Sequence, residues 1–373
     1  MRRLYVAISH HGLGHLAQTS AVLNALHEIA PDIELVIRSA LPRTALELRL
    51  AMPFEHVDTP SDCNLVMHDA IRVDLPASLA AYRAFHTDWG RKVGAETREL
   101  EKLKVDAVFS NVGYLPLAAA QLAGMPCMAM CSLNWADIFR HYLGKEPEAG
   151  AILDSMIAAY AGARAFLRPE PSMPMADLDN AVAIAPIALS GRNRRAELTG
   201  TLGLSPEDRL VLIAMGGIPY RPPVEDWPRL PGIVFLVPDD WATDHPAVRA
   251  LRETGMVFRD VLASADAVVT KPGYGTYTEA TAARVPVLTI PRPDWPESIH
   301  LNRWLMEKNN ALEISEAQLL DGALAEPLAS VWAMPRHVPI EATGALYAAH
   351  KVTELFGSPV KQTPTSSPGV TAG

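Results

Sequence analysis

Short apolar runs alternate with helical patterns along most of this chain. "LYVAI" at 4–8 is followed by a glycine-rich turn, and then by a stretch in which Leu16, Leu23, Leu26 and Ala30 recur at helical spacing. "IELVI" at 33–37 comes next. This order predicts a strand, a turn, a helix and a second strand. Unbroken apolar strands of this kind belong in a parallel sheet covered on both faces. The unit recurs as "VDAVFSN" (105–111), a helix over "LPLAAAQLA" stopped by Gly124, and "MPCMAMC" (125–131). Cys127 and Cys131 lie four apart in that last strand and face one side, most simply as small core residues.

From about 166 to 195 the period is lost. "FLRPEPSMPMADLDN" is dense in proline and polar residues and reads as an interdomain linker. Alternation restarts in "RLVLIAMGG" (209–217), "GIVFLVP" (232–238), "MVFRD" (256–260), "ADAVVTKPG" (265–273) and "VPVLTIPRP" (285–293). Two successive strand–helix series predict an α/β protein of two doubly wound parallel-sheet domains facing a cleft. The expected division is an N-terminal domain over 1–165, the linker over 166–195 and a C-terminal domain over 196–339. "IEATGALYAAHKVTELF" (340–356) predicts an amphipathic helix, and the Pro/Ser/Thr-rich stretch 357–373 is expected to be disordered.

A length of 373 residues exceeds what one core usually spans, which agrees with two domains. The net charge of −9 argues against general nucleic-acid binding, which needs a basic face. Three cysteines are too few for a disulfide framework and favour a reducing compartment. The N-terminal apolar segment is too short for a signal peptide, and no run approaches a membrane span. A cytoplasmic protein is expected, with a peripheral contact to a membrane surface left open.

Three stretches carry candidate chemistry. In "ISHHGLGHLAQTSAVL", Gly12 and Gly14 follow a strand and open a helix, where free N–H groups and the positive end of the helix dipole face whatever binds above the strand ends. His11 lies beside them. The alternatives are a solvated turn, a metal site from the i, i+4 pair His11 and His15, and a cleft in which His15 exchanges a proton near neutral pH. In "VVTKPGYGTYTEATAARVPVLTIPRP", a strand ends at Lys271, Gly273 and Gly275 form a sharp loop, and Thr276 and Thr278 open a helix. Such a loop suits a phosphate. Glu279, a turn further on, either accepts both hydroxyls of a ribose or complements the helix dipole. The pair Gly216 and Gly217 ends the strand "LVLIAM" and is a simple turn or a second phosphate-facing loop.

These residues resemble a known group. "TKPGYGTYTEATAARVPVLTIPRPDWPESIHLN" is similar to the donor-binding region of GT-B fold glycosyltransferases, above all family 28, typified by the UDP-N-acetylglucosamine transferase of peptidoglycan assembly. It also resembles the glycosyltransferase-like domain that precedes the kinase domain in plant L-arabinokinase. "SHHGLGH" resembles the acceptor-side glycine loop of that group, and "IAMGG" its first pyrophosphate-facing loop. The resemblance implies two Rossmann-like domains and a nucleotide-sugar donor. It implies that Glu279 contacts the ribose, that Gly216, Gly217, Gly275 and Thr276 face the diphosphate, and that His15 lies near the reacting carbon. Glu297 and Asn302 fit the family's donor-sugar frame, from which Ser298 and Ile299 depart.

Other candidates are weaker. Asp177 and Asp179 form a D-x-D pattern within the linker, and Asp239 and Asp240 suit a turn or cap. Arg192, Arg194 and Arg195 suit a solvated face, donor phosphates or anionic lipid. Trp135 and Asp137 follow a strand, where an aromatic platform with a carboxylate suits a sugar ring, although packing explains Trp135 as well.

The reading that results is a metal-independent glycosyltransferase, with no bound cofactor and a nucleoside-diphosphate sugar, UDP-linked by preference, as co-substrate. His15 is the expected general base, with Asp137 in reserve. The acceptor is a small molecule, a lipid-linked group or a glycan. The competing readings are a nucleotide-sugar epimerase or hydrolase on the same fold, and a non-catalytic nucleotide-sugar-binding protein.

Overall fold

The computed structural model describes residues 2–69, 71–216, 220–241 and 243–357. Seven parallel strands form a first sheet: β1 (Arg2–Ile8), β2 (Ile33–Arg38), β3 (Glu55–Val57), β4 (Ala107–Asn111), β5 (Cys127–Met130), β6 (Phe166–Pro169) and β7 (Ala181–Ile184). Their order is β3-β2-β1-β4-β5-β6-β7. Six more form a second parallel sheet: β8 (Arg209–Ala214), β9 (Ile233–Val237), β10 (Val248–Ala250), β11 (Ala267–Thr270), β12 (Val287–Thr289) and β13 (Ala311–Glu313). These run β10-β9-β8-β11-β12-β13. In each sheet the order reverses beside the first strand, between β1 and β4 and between β8 and β11. Ligands of open α/β sheets bind outside the carboxyl ends of strands at such reversals.

The apolar runs explain the central strands. Val6 lies opposite Ile37 on β2 and Phe109 on β4, and all three are fully buried. The helix Gly14–Ile29 turns Leu16, Leu23 and Leu26 onto this core.

Two expectations need correction. The 166–195 stretch is not a bare linker, because it contributes β6 and β7 to the first sheet. Phe166 and Leu167 supply two buried apolar positions that the surrounding prolines obscure. "MVFRD" is not a strand. Phe258, Val261 and Leu262 are spaced for a helix face, and Phe258–Ser264 is helical. The strand in that region is the short β10, which carries only three residues of signal. The expected C-terminal helix is present as Gly344–Thr353. Its Ala348, Ala349 and Val352 join the same buried apolar cluster as Leu4, Leu23 and Leu26 of the N-terminal half. Arg164 donates to the Glu354 carbonyl at 3.0 Å and so helps to hold this end in place. The stretch 358–373, expected to be disordered, lies outside the described residues.

Candidate active site

A cavity of about 400 Å³ opens between the carboxyl ends of the two sheets. From the first sheet come the β1 loop and the start of the Gly14–Ile29 helix, including His11, Gly12, Gly14, His15 and Gln18. From the second come Gly216 after β8, Lys271, Gly273, Gly275, Thr276 and Glu279 after β11, and Arg292 and Glu297 after β12. The two order reversals therefore face one another.

The three histidines have separate environments. His10 Nδ1 lies 3.8 Å from Asp62 Oδ1. His11 is stacked on Trp295 at 5.7 Å and meets the edge of Trp135 at 5.2 Å. Burial, with the nearby charges of His15, Arg292 and Lys271, pushes the His11 ring down to about 3, so it stays neutral. His15 is buried, and its Nδ1 lies 2.9 Å from Asn111 Oδ1 at the end of β4. Asn111 Nδ2 donates to Gln18 Oε1 at 3.1 Å, and Gln18 Nε2 donates to Ser132 Oγ at 2.9 Å. This chain orients the Asn111 amide so that its oxygen receives the His15 Nδ1 proton. Nε2 is then the unprotonated nitrogen. Burial holds the ring below the ordinary histidine range, against the opposing effect of Asn111.

Across the cleft, Gly216 has φ +83°, a backbone that glycine adopts without strain. It brings the β8 loop beside Lys271. A Cβ at Gly216 would sit 3.8 Å from Lys271 Nζ. Gly273 starts the helix Tyr274–Ala283, whose first turn is capped by no side chain. Its leading amides and dipole are therefore available to an anion. Gly275 permits a close approach of the two halves, since a Cβ there would lie 3.2 Å from Ala17 Cβ. Tyr274 ties this helix to the connecting chain. Its hydroxyl donates to the Glu170 carbonyl at 3.0 Å and accepts from Ile187 N at 2.9 Å.

Glu279 is buried, with Oε1 3.8 Å from Arg49 Nη1 of the N-terminal half. Asn24 holds that arginine's segment by bonding the Arg49 carbonyl at 2.9 Å and the Ala51 amide at 3.0 Å. Burial pushes the Glu279 carboxyl up to about 7, with Arg49 opposing. At the deep end, Arg292 is only 5% exposed and lies 4.2 Å over the Trp295 ring, with Nε and Nη2 unpartnered. Glu297 accepts from Trp295 Nε1 at 3.2 Å, and its other oxygen has no partner. Burial and the Arg292 charge lower Lys271 to about 8. Two cations and one carboxylate thus enter the cavity with polar atoms still to be satisfied.

Several expected site residues lie elsewhere. Asp137 does not line the cavity. Asn134 Nδ2 at 2.8 Å and Arg140 at 2.9 Å occupy its two oxygens in the cap of the helix Trp135–Leu143. Trp135 is fully buried behind His11 and His15, its indole donating to Asp62 at 2.7 Å, and does not line the cavity. Asn302 accepts from Tyr277 at 2.9 Å, away from the cavity. The Thr278 hydroxyl is spent on the Tyr274 carbonyl of its own helix. Gly217 lies outside the described residues. Arg194 pairs with Glu197 and Asp260, and Asp177 with Arg140. Among the described residues no group of three or more His, Cys, Asp or Glu side chains could hold a metal ion. Nor is any helix among them long and apolar enough to cross a membrane. Sequence reasoning misses Arg49, Arg292 and Trp295 in the lining and Asn111 behind His15: Arg49 and Asn111 stand in stretches with no motif, and nothing within the donor-like stretch singles out Arg292 or Trp295.

No family model matches the chain. L-arabinokinase of Arabidopsis thaliana is 23% identical over 327 residues, which cover 84% of this chain and 30% of that protein. This chain thus matches less than a third of that relative's length. Among solved structures, the glycotransferase of kitacinnamycin superposes with a TM-score of 0.63 at 15% identity, covering 95% of this chain and 98% of the other. UDP-glucose:anthocyanidin 3-O-glucosyltransferase in complex with UDP gives 0.57 at 12% identity, covering 95% and 94%. With its two parallel sheets, each in Rossmann-like order, and these structural neighbours, the chain has the two-domain α/β GT-B fold.

Proposed function

We propose that this protein transfers a sugar from a nucleoside-diphosphate sugar, UDP-linked by preference, to the hydroxyl of an acceptor. One observation carries the reading: a buried histidine on one lobe shares a cavity with an uncapped, glycine-flanked helix start on the other and with Lys271 and Arg292, neither of which forms an ion pair among the described residues.

In this reading the segment 1–165 presents the acceptor and 196–339 holds the donor. The diphosphate rests against Gly216, Lys271 and the amides of Gly275 and Thr276, while Glu279 receives the ribose hydroxyls. His15 Nε2 takes the acceptor's proton as its oxygen bonds the anomeric carbon. The bond from that carbon to the phosphate oxygen breaks, and its electron pair leaves with the diphosphate. Charge grows on that diphosphate as the bond lengthens, so fixed amides and the two cations stabilise the transition state more than the bound donor. Lys271 and Arg292 supply positive charge that a divalent ion would otherwise provide. The acceptor is a small molecule, a lipid-linked group or a glycan.

Labelled UDP-sugars incubated with the protein, with and without a panel of acceptors, test this. Transfer that requires an acceptor supports it. An epimer or free sugar formed without acceptor assigns the protein to the epimerase or hydrolase class. Donor binding with no turnover leaves a binding protein.

A further inference from the structure

A second cavity, of about 450 Å³, lies at the opposite end of the C-terminal sheet. Gly216, Lys271 and Arg292 follow the carboxyl ends of β8, β11 and β12. By contrast, Arg209 begins β8, Asp266 precedes β11, Pro286 precedes β12 and Asn310 precedes β13, and these four line the second cavity. A strand of six residues separates its two ends by about 20 Å. The two cavities are therefore distinct sites joined by the same strands.

We propose that this second cavity binds a small phosphate-bearing anion with two or more negative charges. Besides Arg195, which pairs with Asp266, four solvent-exposed cations from four separated segments line it: Arg209, Arg284, Lys308 and Arg336. None forms an ion pair among the described residues. Arg209 alone has another side-chain partner, the face of Trp332 at 4.3 Å. The one acidic residue in the lining, Asp266, is already engaged by Arg195 and by Leu210 N at 2.7 Å. Four unneutralised positive charges thus gather on a chain whose net charge is −9. Like charges held together repel, and an anion between them removes that cost.

The wall adds a donor with nothing to bond. Thr281 is 2% exposed, and its hydroxyl has no partner. Arg284 occupies the end of the Tyr274–Ala283 helix at φ +59°, a position at which glycine or asparagine is the unstrained choice. Placing an arginine there keeps a guanidinium over the cavity. Phosphate oxygens accept from guanidinium, ammonium and hydroxyl groups together, which matches this set of donors. The same ligand chemistry is found on soluble phosphorylated metabolites and on anionic lipid headgroups.

The test titrates inorganic pyrophosphate by calorimetry into the full chain, Lys271→Ala and Arg284→Glu/Lys308→Glu. Melting curves confirm that each variant folds, and Arg284→Gln/Lys308→Gln serves if the charge reversal does not. The expected result is binding that survives Lys271→Ala and weakens about tenfold or more when the Arg284 and Lys308 charges are lost. No pyrophosphate binding, or binding unchanged by loss of those charges, overturns the proposal. Co-sedimentation with phosphatidylcholine vesicles carrying phosphatidic acid separates the sources. Vesicle binding displaced by pyrophosphate identifies a headgroup ligand, and pyrophosphate binding without vesicle binding a soluble one. Because neither readout involves sugar transfer, failure here is distinct from failure of the transferase reading.

Discussion

His15 Nδ1 and Asn111 Oδ1 meet at 2.9 Å although 96 residues separate them in the chain. Their contact spans the reversal between β1 and β4, where one strand's loop and the next strand's last residue converge. A carboxylate in the place of Asn111 would stabilise a protonated ring. An amide fixes the tautomer and favours the protonated ring too little to overcome burial.

Turnover should therefore hold steady through neutral pH and fall only as pH drops below the ordinary histidine value of 6.5, since the folded-state value is lowered. Asn111→Asp moves that acid limb upward. His15→Ala lowers kcat by roughly 10²–10⁴-fold with donor binding nearly unchanged. Profiles of kcat against pH, with calorimetry of the donor, check all three. Turnover that survives His15→Ala places the base elsewhere.

Glu279 carries a conflict between binding and stability. Its carboxyl ionises at about 7 in the folded protein against 4.5 ordinarily, so the ionised form is disfavoured by folding. Stability contributed by the protonated group is complete below about 4.5 and is lost as pH rises to about 7. Glu279→Gln should gain on the unliganded wild type across that window, by roughly 1–3 kcal/mol, and hold the gain above it. Denaturant melts at pH 4.5 and 8 measure this. Glu279→Ala weakens donor binding, and an unchanged affinity removes the ribose assignment.

Arg292 has unpaired N–H groups in a nearly closed space. Replacing an unpaired buried charge by an apolar side chain of similar length is neutral or stabilising. Arg292→Met should leave the melting temperature of the free protein equal or higher while donor affinity falls. A variant that melts earlier with unchanged donor affinity would make Arg292 a structural residue only.

Gly216→Ala has room for its methyl group, the nearest atom being Lys271 Cε at 3.7 Å, but not the backbone for it. The strain at φ +83° should cost about 1–2 kcal/mol of stability and weaken donor binding. Melting curves and donor titration check both effects.

If Lys271 and Arg292 supply the positive charge on the diphosphate, chelation has nothing to remove. Rates measured with a strong chelator should match those with added magnesium. A rate that recovers only with a divalent ion contradicts this.

The sequence was most legible where chemistry is local. Glycines after a strand mark a loop wherever they stand, so Gly12, Gly216 and Gly275 are legible as loop residues in the sequence itself. Their cavity was implied by two series of parallel strands. Asn111 was hidden because its role exists only once β4 lies beside β1. Arg49 depends on Asn24 holding its segment, and Arg292 on a buried Trp295, neither of which leaves a periodic trace. Asp137 misled for the opposite reason. A carboxylate after a strand serves equally well as a helix cap, and here Asn134 and Arg140 settle which.

The two bonds made by the Tyr274 hydroxyl fasten the head of the donor-side helix to Glu170, in the β6–β7 loop of the first sheet, and to Ile187, just after β7. While they last, the lobes are hinged close to where the phosphates would sit. Any gaping of the cleft then works as a lever with its fulcrum at Tyr274, and the Arg49–Glu279 link, over a turn along that helix, is the clasp that such a swing must undo.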